Sequence, residues 1–140
     1  MAAKLPEDVR AFLDQPNPAV MGTVRPDGTP VTVPTWYLLE DDGTILVSLD
    51  ESRKRLAYLR HEPRVSLSAL DKDDWYTHIS VLGRVVEITD DVDCRDADRL
   101  SVRYTGKPYP VRDRGRVSAR IEIESYHGWG AKKGVRGTLS

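Results

Sequence analysis

The sequence has little of several features that would each define a class of protein. Its single cysteine, Cys94, excludes an internal disulfide and any zinc or iron–sulfur site built from several cysteines. Its 21 Lys and Arg against 22 Asp and Glu give a formal net charge of −1, without the basic excess of a general nucleic-acid binder. No apolar run is long enough to span a membrane, and the N-terminus does not resemble a signal peptide. We therefore expect a cytoplasmic protein with neither nucleic acid nor membrane as a partner.

Common catalytic and nucleotide-binding motifs are also missing. The chain has no GxGxxG segment and no P-loop. His61, His78 and His127 are far apart in the sequence and have no metal-ligand spacing, so no metal site is expected. Cys94 has no histidine near it in the sequence and is expected to be an inert thiol. If the protein is an enzyme, a bound cofactor is expected to carry the reaction.

What the sequence does contain is a pattern of short apolar strands. Its 140 residues, 39% hydrophobic and 31% charged, match one globular domain over residues 1–140. The pattern predicts strands over 19–25, 31–39, 44–49, 64–70, 78–88 and 117–123, helices over 5–13, 53–62 and 91–104, and a loop over 104–115. Mostly short connections without a repeating strand–helix order favour a mainly β antiparallel barrel or coiled sheet with a few peripheral helices.

Two residues predict irregularities within these strands. Pro34 cannot donate to a ladder, so strand 31–39 is expected at a sheet edge or at a bulge. Gly83 is expected to mark a bulge or a close approach of two backbones. Because only one tight turn separates strand 31–39 from strand 44–49, the two strands are expected to lie side by side.

A cluster of cations occupies the first turn of the helix predicted over 53–62. Arg53, Lys54 and Arg55 lie where the helix dipole is already positive, with Ser52 as the expected N-cap. A bound phosphate would reverse this unfavourable charge, since backbone N–H groups, cations and the hydroxyls of Ser52 and Ser48 would converge on it. A solvated basic face explains the same residues equally well.

The preceding strand could hold the ring of a flat cofactor whose phosphate lies at this helix. Thr32, Thr35 and Trp36 are the side chains that could bond to such a ring or stack on it. For one isolated tryptophan, packing in a core or an interface is the commoner role.

These residues together resemble a known family. The similarity covers residues 12–129 and is carried by Ser52-Arg53-Lys54 with 62–67, by 22–30, by Trp75 and by 83–85. This combination resembles the pyridoxamine 5′-phosphate oxidase-like flavoproteins, whose fold is an antiparallel, Greek-key, FMN-binding split β-barrel.

The resemblance implies a homodimer that binds FMN, the deazaflavin coenzyme F420 or haem between subunits. It implies two sets of cofactor residues and one residue beside them. The phosphate would be held by Ser48, Ser52, Arg53, Lys54 and Arg55, the ring would lie against Thr32, Val33, Pro34 and Trp36, and Trp75 would lie near the substrate or the dimer interface.

The short chain and the Arg53-x-Arg55 spacing look most like the F420-dependent oxidoreductases of actinobacteria. This likeness implies hydride transfer between reduced F420 and an unsaturated organic substrate. FMN-dependent oxidase or flavin reductase activity, and a non-catalytic carrier of F420, flavin or haem, remain alternatives. Tyr37, Tyr76 or water could donate a proton. Further cations that could meet an acidic F420 tail are Arg25, Lys107, Arg112 and Arg114.

Overall fold

An antiparallel sheet of eight strands forms the frame of the molecule, whose computed structural model describes residues 5–139. The strands are β1 (Ala19–Val24), β2 (Pro30–Thr35), β3 (Leu38–Leu39), β4 (Ile45–Asp50), β5 (Arg64–Leu70), β6 (His78–Asp90), β7 (Arg116–Trp129) and β8 (Arg136–Thr138). The helices are α1 (Glu7–Leu13), α2 (Lys54–His61) and α3 (Arg95–Thr105), with single 3-10 turns at Val92–Cys94 and Gly130–Lys132.

The order of the strands shows how the sheet curls. The order is β2-β1-β5-β6-β7-β4-β3, with β8 added beside β7. Its two ends, β2 and β3, are joined by only Trp36 and Tyr37, so both edges of the sheet must come close together. This is a barrel left open along one seam, and the expectation of a mainly β split barrel with a few peripheral helices is confirmed.

The strand expected over 31–39 is divided between the two edges of that seam. Its first part, β2, pairs with β1, and only Leu38 and Leu39 pair with β4. The expectation that this strand lies along 44–49 is therefore wrong except for those two residues. Pro34 lies in a strand that pairs on one side only, as expected for a residue without an N–H.

One contiguous core fills the barrel. Alternate residues of the strands are buried in it, including Met21, Leu67, Ile79 and Ile121. Side chains of α1 join this core, and the helix lies against β3 and β6. Each such fully buried aliphatic side chain contributes about 1.5–3 kcal/mol to folding.

Gly83 allows β6 and β7 to approach closely. The register between the two strands shifts between Leu82 and Gly83. A Cβ at Gly83 would overlap the carbonyl oxygen of Glu122 on β7, so glycine is required there. The expected bulge or close approach at Gly83 is confirmed.

Several boundaries differ from those expected. The described residues contain eight strands where six were expected, because β3 and β8 are short and lack an alternating pattern. Strand β7 continues to Trp129, well past residue 123. Helix α3 begins at Arg95 because Asp93 and Cys94 adopt positive φ values of 59° and 57°, which interrupt the helix expected from residue 91.

Within residues 5–139, no helix is long and apolar enough to cross a bilayer.

Candidate functional site

A cleft of about 1300 Å³ follows the open seam of the barrel. It forms because β4 pairs with β3 only as far as Leu46, while β2 pairs with β1 on its other edge. Strand β2, the end of β4, the start of α2, one face of α3 and the loop 106–115 all contribute to its walls.

Positive charge dominates the lining of the cleft. Asp50 is the one acidic residue in its lining, as far as the structure describes the chain. The seven cations in the lining are Arg25, Arg53, Lys54, Arg55, Lys72, Arg114 and Arg116. Such a surface favours a bound anion, since the cations repel one another when the cleft contains only water.

Arg55 has a buried donor without a partner. Its Nη1 atom is buried and makes no hydrogen bond to any group in the described part of the chain. Burial, together with the charges of Arg53 and Arg116, lowers the pKa of Arg55. An unsatisfied buried donor costs about 1–3 kcal/mol, and more when it is charged. A phosphate bound in the cleft would offset the repulsion among Arg53, Arg55 and Arg116.

Arg116, at the start of β7, joins this cationic group. Its Nε and Nη2 donate to Ser48 Oγ at 3.2 and 2.9 Å, and its guanidinium carbon lies 4.8 Å from the centre of the Tyr109 ring. Sequence reasoning missed Arg116 because 68 residues separate it from Ser48. The outward position of Arg116 at the start of the clearest strand was a signal, but the pairing of β4 with β7 was needed to use it.

Asp50 holds the segment that leads into α2. The backbone N–H and the hydroxyl of Ser52 donate to Asp50 Oδ1 at 2.9 and 2.8 Å, and Arg114 Nη1 donates to Oδ2 at 3.1 Å. These bonds, led by the one from the Ser52 backbone, lower the pKa of Asp50 to about 2.

Ser52 is therefore not the N-cap of α2, and that expectation is wrong. The helix begins at Lys54 with Arg53 in the N-cap position and no side-chain cap. The Ser52 side chain lies two residues before the first helical residue, and its hydroxyl donates to the neighbouring carboxylate of Asp50. The first turn of α2 contains no acidic residue, so its positive dipole end is not neutralised locally.

An aromatic pair forms another part of the lining. The rings of Trp36 and Tyr104 are stacked with centroids 5.4 Å apart and planes 6° from parallel. The Tyr104 hydroxyl donates to the carbonyl oxygen of Asn17 at 2.7 Å, which fixes the pair against the chain that enters β1. Trp36 is 37% exposed and remains accessible from the cleft.

The structure brings nine of the ten site residues expected from the sequence around one cleft. Trp75 is the exception: it is 74% exposed, on the loop between β5 and β6, and it does not line the cleft. The nine that line the cleft are Thr32, Val33, Pro34, Trp36, Ser48, Ser52, Arg53, Lys54 and Arg55.

The two tyrosines considered as proton donors are not placed for that role. Tyr37 is fully buried, its hydroxyl donates to the carbonyl oxygen of Leu13 at 2.8 Å, and burial raises its pKa. Tyr76 is exposed and lies outside the lining of the cleft.

Of the four cations considered for an acidic tail, two line the cleft. These are Arg25 and Arg114. Lys107 and Arg112 lie outside it, and Arg112 is paired with Asp98 at 2.7 Å. Lys72, which sequence reasoning did not single out, also lines the cleft.

Between residues 5 and 139, no three His, Cys, Asp or Glu side chains are grouped closely enough to hold a metal ion.

Comparison with known proteins places this chain in a family. A family model described as pyridoxamine 5′-phosphate oxidase matches residues 5–130. The chain therefore belongs to the pyridoxamine 5′-phosphate oxidase family. No curated protein sequence matches it.

Solved structures share the fold over most of the chain. An F420 reductase is 26% identical, with a TM-score of 0.78 over 87% of this chain and 98% of its own. A conserved hypothetical protein from Mycobacterium tuberculosis is 25% identical, with a TM-score of 0.69 over 91% of this chain and 86% of its own. General Stress Protein 26 from Bacillus anthracis is 19% identical, with a TM-score of 0.64 over 88% of this chain and 92% of its own. At that identity, the likeness to the third structure shows the fold alone.

Proposed function

We propose that the protein is an F420-dependent reductase, which transfers a hydride between reduced F420 and an unsaturated organic acceptor. The observation that carries the proposal is the unpartnered Nη1 of Arg55 in a cleft lined by seven cations. The likeness to an F420 reductase along 98% of that chain supports this choice of cofactor.

The cleft fits the cofactor's phosphate by the chemistry of its donors. Arg53, Lys54, Arg55 and Arg116 supply cations, and the Ser48 hydroxyl, which accepts from Arg116, keeps its own proton to donate. The uncapped start of α2 adds backbone N–H groups. Ser52 would act through Asp50, because its proton is already donated there.

The rest of the cleft suits a flat ring. When bound, F420 supplies the hydride at its deazaflavin ring. Thr32, Val33 and Pro34 lie on the strand that borders the seam, and the edge of β2 away from β1 is free to bond to ring oxygens and nitrogens. The stacked Trp36 and Tyr104 rings would exclude water from one side of the ring. In this proposal the protein orients the two reactants and neutralises phosphate.

FMN is the second candidate, because the matching family model is that of pyridoxamine 5′-phosphate oxidase. Both cofactors carry a phosphate that would suit the cationic residues. F420 also carries an acidic tail, and Arg25 and Lys72 provide cations beyond the cluster at 53–55. These two cations and the likeness to the F420 reductase favour F420.

The absorption spectrum of the purified protein, followed by fluorescence titration with F420 and with FMN, tests the proposal. We expect no bound flavin after purification, F420 binding on the order of micromolar affinity and no binding of FMN. Turnover of reduced F420 with quinones, enones or tetrapyrroles would then establish reductase activity. A protein purified with yellow flavin would contradict the proposal, and F420 binding without turnover of any acceptor would favour a carrier.

We also propose that the working unit is a homodimer. Trp75 and Tyr76 are 74% and 59% exposed, and Trp129, on the adjoining segment, is 42% exposed. The two segments are held together, since Ala131 N donates to Thr77 Oγ1 at 3.0 Å. A patch of exposed aromatic residues on one end of a small barrel is typical of a contact between proteins.

A further inference from the structure

Asp50 is unexpected in a cleft proposed to bind an anion. It is 4% exposed, and it lines a cleft whose seven cations would attract the ligand. Charge alone predicts that Asp50 weakens anion binding, because like charges a few ångströms apart repel. Its retention in the cleft therefore needs a second reason.

The contacts of Asp50 connect two separate segments of the chain. Through Oδ1 it holds Ser52, which leads into α2, and through Oδ2 it holds Arg114 in the loop 106–115. A backbone bond from Glu51 N to the carbonyl oxygen of Gly115 at 3.1 Å lies directly beside this pair. The loop is thereby fastened to the end of β4.

The fastened loop also touches the cationic residues. Tyr109 belongs to it and lies under the guanidinium of Arg116, while Arg114 itself lines the cleft. The middle of the loop is held by Asp98, which accepts from Tyr109 N at 2.9 Å and pairs with Arg112. Asp50 thus adds a side-chain tether at Arg114 to the backbone bond at Gly115, and together they hold the end of the loop near β7 against the cleft.

We propose that Asp50 is a positioning residue that holds Arg114 and the loop 106–115 against the cationic part of the cleft. This inference rests on the proposed anion-binding function. Its consequence is that Asp50 strengthens the binding of an anion although its own charge opposes that binding. A positioning role predicts that removing the charge of Asp50 lowers the affinity for an anion, whereas simple charge repulsion predicts that it raises this affinity.

Replacing Asp50 with Asn separates the two effects. The side-chain carbonyl oxygen of Asn can still accept from Ser52, but the NH2 group that replaces Oδ2 cannot accept from Arg114. We expect Asp50→Asn to weaken F420 binding roughly tenfold, the scale of one charge-assisted hydrogen bond. The matched control is Glu51→Gln, which removes one negative charge at the next residue, and it should leave affinity unchanged or slightly higher. Equal or tighter binding by Asp50→Asn would overturn the proposal.

A double-mutant cycle with Arg114→Gln identifies the route of the effect. When Arg114 is already replaced, Asp50→Asn should no longer weaken binding, because only the repulsive charge is then removed. Weakening of the same size in both backgrounds would show that Asp50 acts through Ser52 alone and would overturn the role of the loop.

Limited trypsin digestion reports on the loop without any ligand. Cleavage after Arg112, identified by mass spectrometry, should become faster in Asp50→Asn and in Arg114→Gln but not in Glu51→Gln. Arg114 is largely exposed, so its replacement should leave the thermal unfolding midpoint intact even if Asp50→Asn unfolds. Cleavage at the wild-type rate in Arg114→Gln would overturn the proposal.

A second probe keeps this inference distinct from the choice of cofactor. If the protein binds inorganic phosphate, followed by ³¹P NMR, but neither F420 nor FMN, the proposed function fails. The same cycle can then be run with phosphate and should give the same signs. Absence of binding of phosphate, F420 and FMN alike to the wild-type protein would overturn both.

Discussion

The arginines of the cleft illustrate how one residue can weaken the fold and serve a ligand. Arg55 is crowded by Arg53 and Arg116 and keeps one donor unpaired. A buried charge without a partner destabilises the protein that contains it. A site of this kind gains its stability only when an anion is bound, so stability and affinity should respond to Arg55 in opposite directions.

Arg55→Met tests this opposition. The neutral side chain keeps much of the packing volume and removes both the repulsion and the unpaired donor. We expect an equal or higher thermal unfolding midpoint without ligand and F420 affinity reduced at least about tenfold. The control is Arg60→Met on the exposed last turn of the same helix, which should not change affinity. A lower midpoint with unchanged affinity would show that Arg55 only supports the fold.

The pair Arg53 and Arg55 tests whether the cluster is more than a solvated face. Arg53→Ala combined with Arg55→Ala should abolish phosphate-dependent binding of F420, because two cations are lost together. The far-ultraviolet circular dichroism spectrum should match that of the wild type. Unchanged affinity in the double variant would mean that the cluster is only a solvated basic face.

At the scale of elements, the features that could be predicted from the sequence are those that depend on residues close together in the chain. The cluster at Arg53–Arg55 and the short α2 were found because charge and apolar spacing act within one or two helical turns. Arg116 was missed because its partner, Ser48, belongs to another strand. The role of Ser52 was mistaken because the helix begins at Lys54 with Arg53 at the N-cap position, so Ser52 lies one residue too early to cap it and its hydroxyl donates to Asp50.

Side-chain contacts that the residue pattern does not reveal explain the remaining errors in the fold. Strand 31–39 has a continuous β pattern, yet Trp36 and Tyr37 leave the ladder because one ring stacks on Tyr104 and the other enters the core. Helix α3 was expected four residues too early, since its acidic start does not show that Asp91 reaches forward to cap it. Local patterns cannot specify such contacts.

The start of α3 depends on Asp91. Its carboxylate accepts from the backbone N–H groups of Asp96 and Ala97 at 2.8 and 2.9 Å. Asp91→Ala should lower the free energy of unfolding by about 0.5–2 kcal/mol, as for other lost helix caps. Urea denaturation measures this, with the exposed neighbour substitution Asp90→Ala as the control. Equal losses in both variants would contradict the capping role.

At the scale of the whole molecule, the exposed aromatic residues near Trp75 are expected to be covered by a second copy. We expect Trp75→Glu to convert a dimer into a monomer, because a charge in an apolar contact is costly to desolvate. Size-exclusion chromatography with light scattering measures the mass. Val92→Glu, at the opposite end of β6, provides a control with the same kind of exposed apolar residue. A wild-type protein that is monomeric would contradict the proposal.

The two residues that join β2 to β3 set the distance between the two edges of the sheet along the open seam. Strand β2 pairs with β1 and strand β3 pairs with β4. Trp36 and Tyr37 therefore form a connection of fixed length between the two edges of the seam. In a relative with extra residues at this point, the two edges of the sheet could lie farther apart, and the cleft could bind a larger ligand. Here the connection is short and the ring of Tyr37 is buried in the core, so the width of the cleft is fixed.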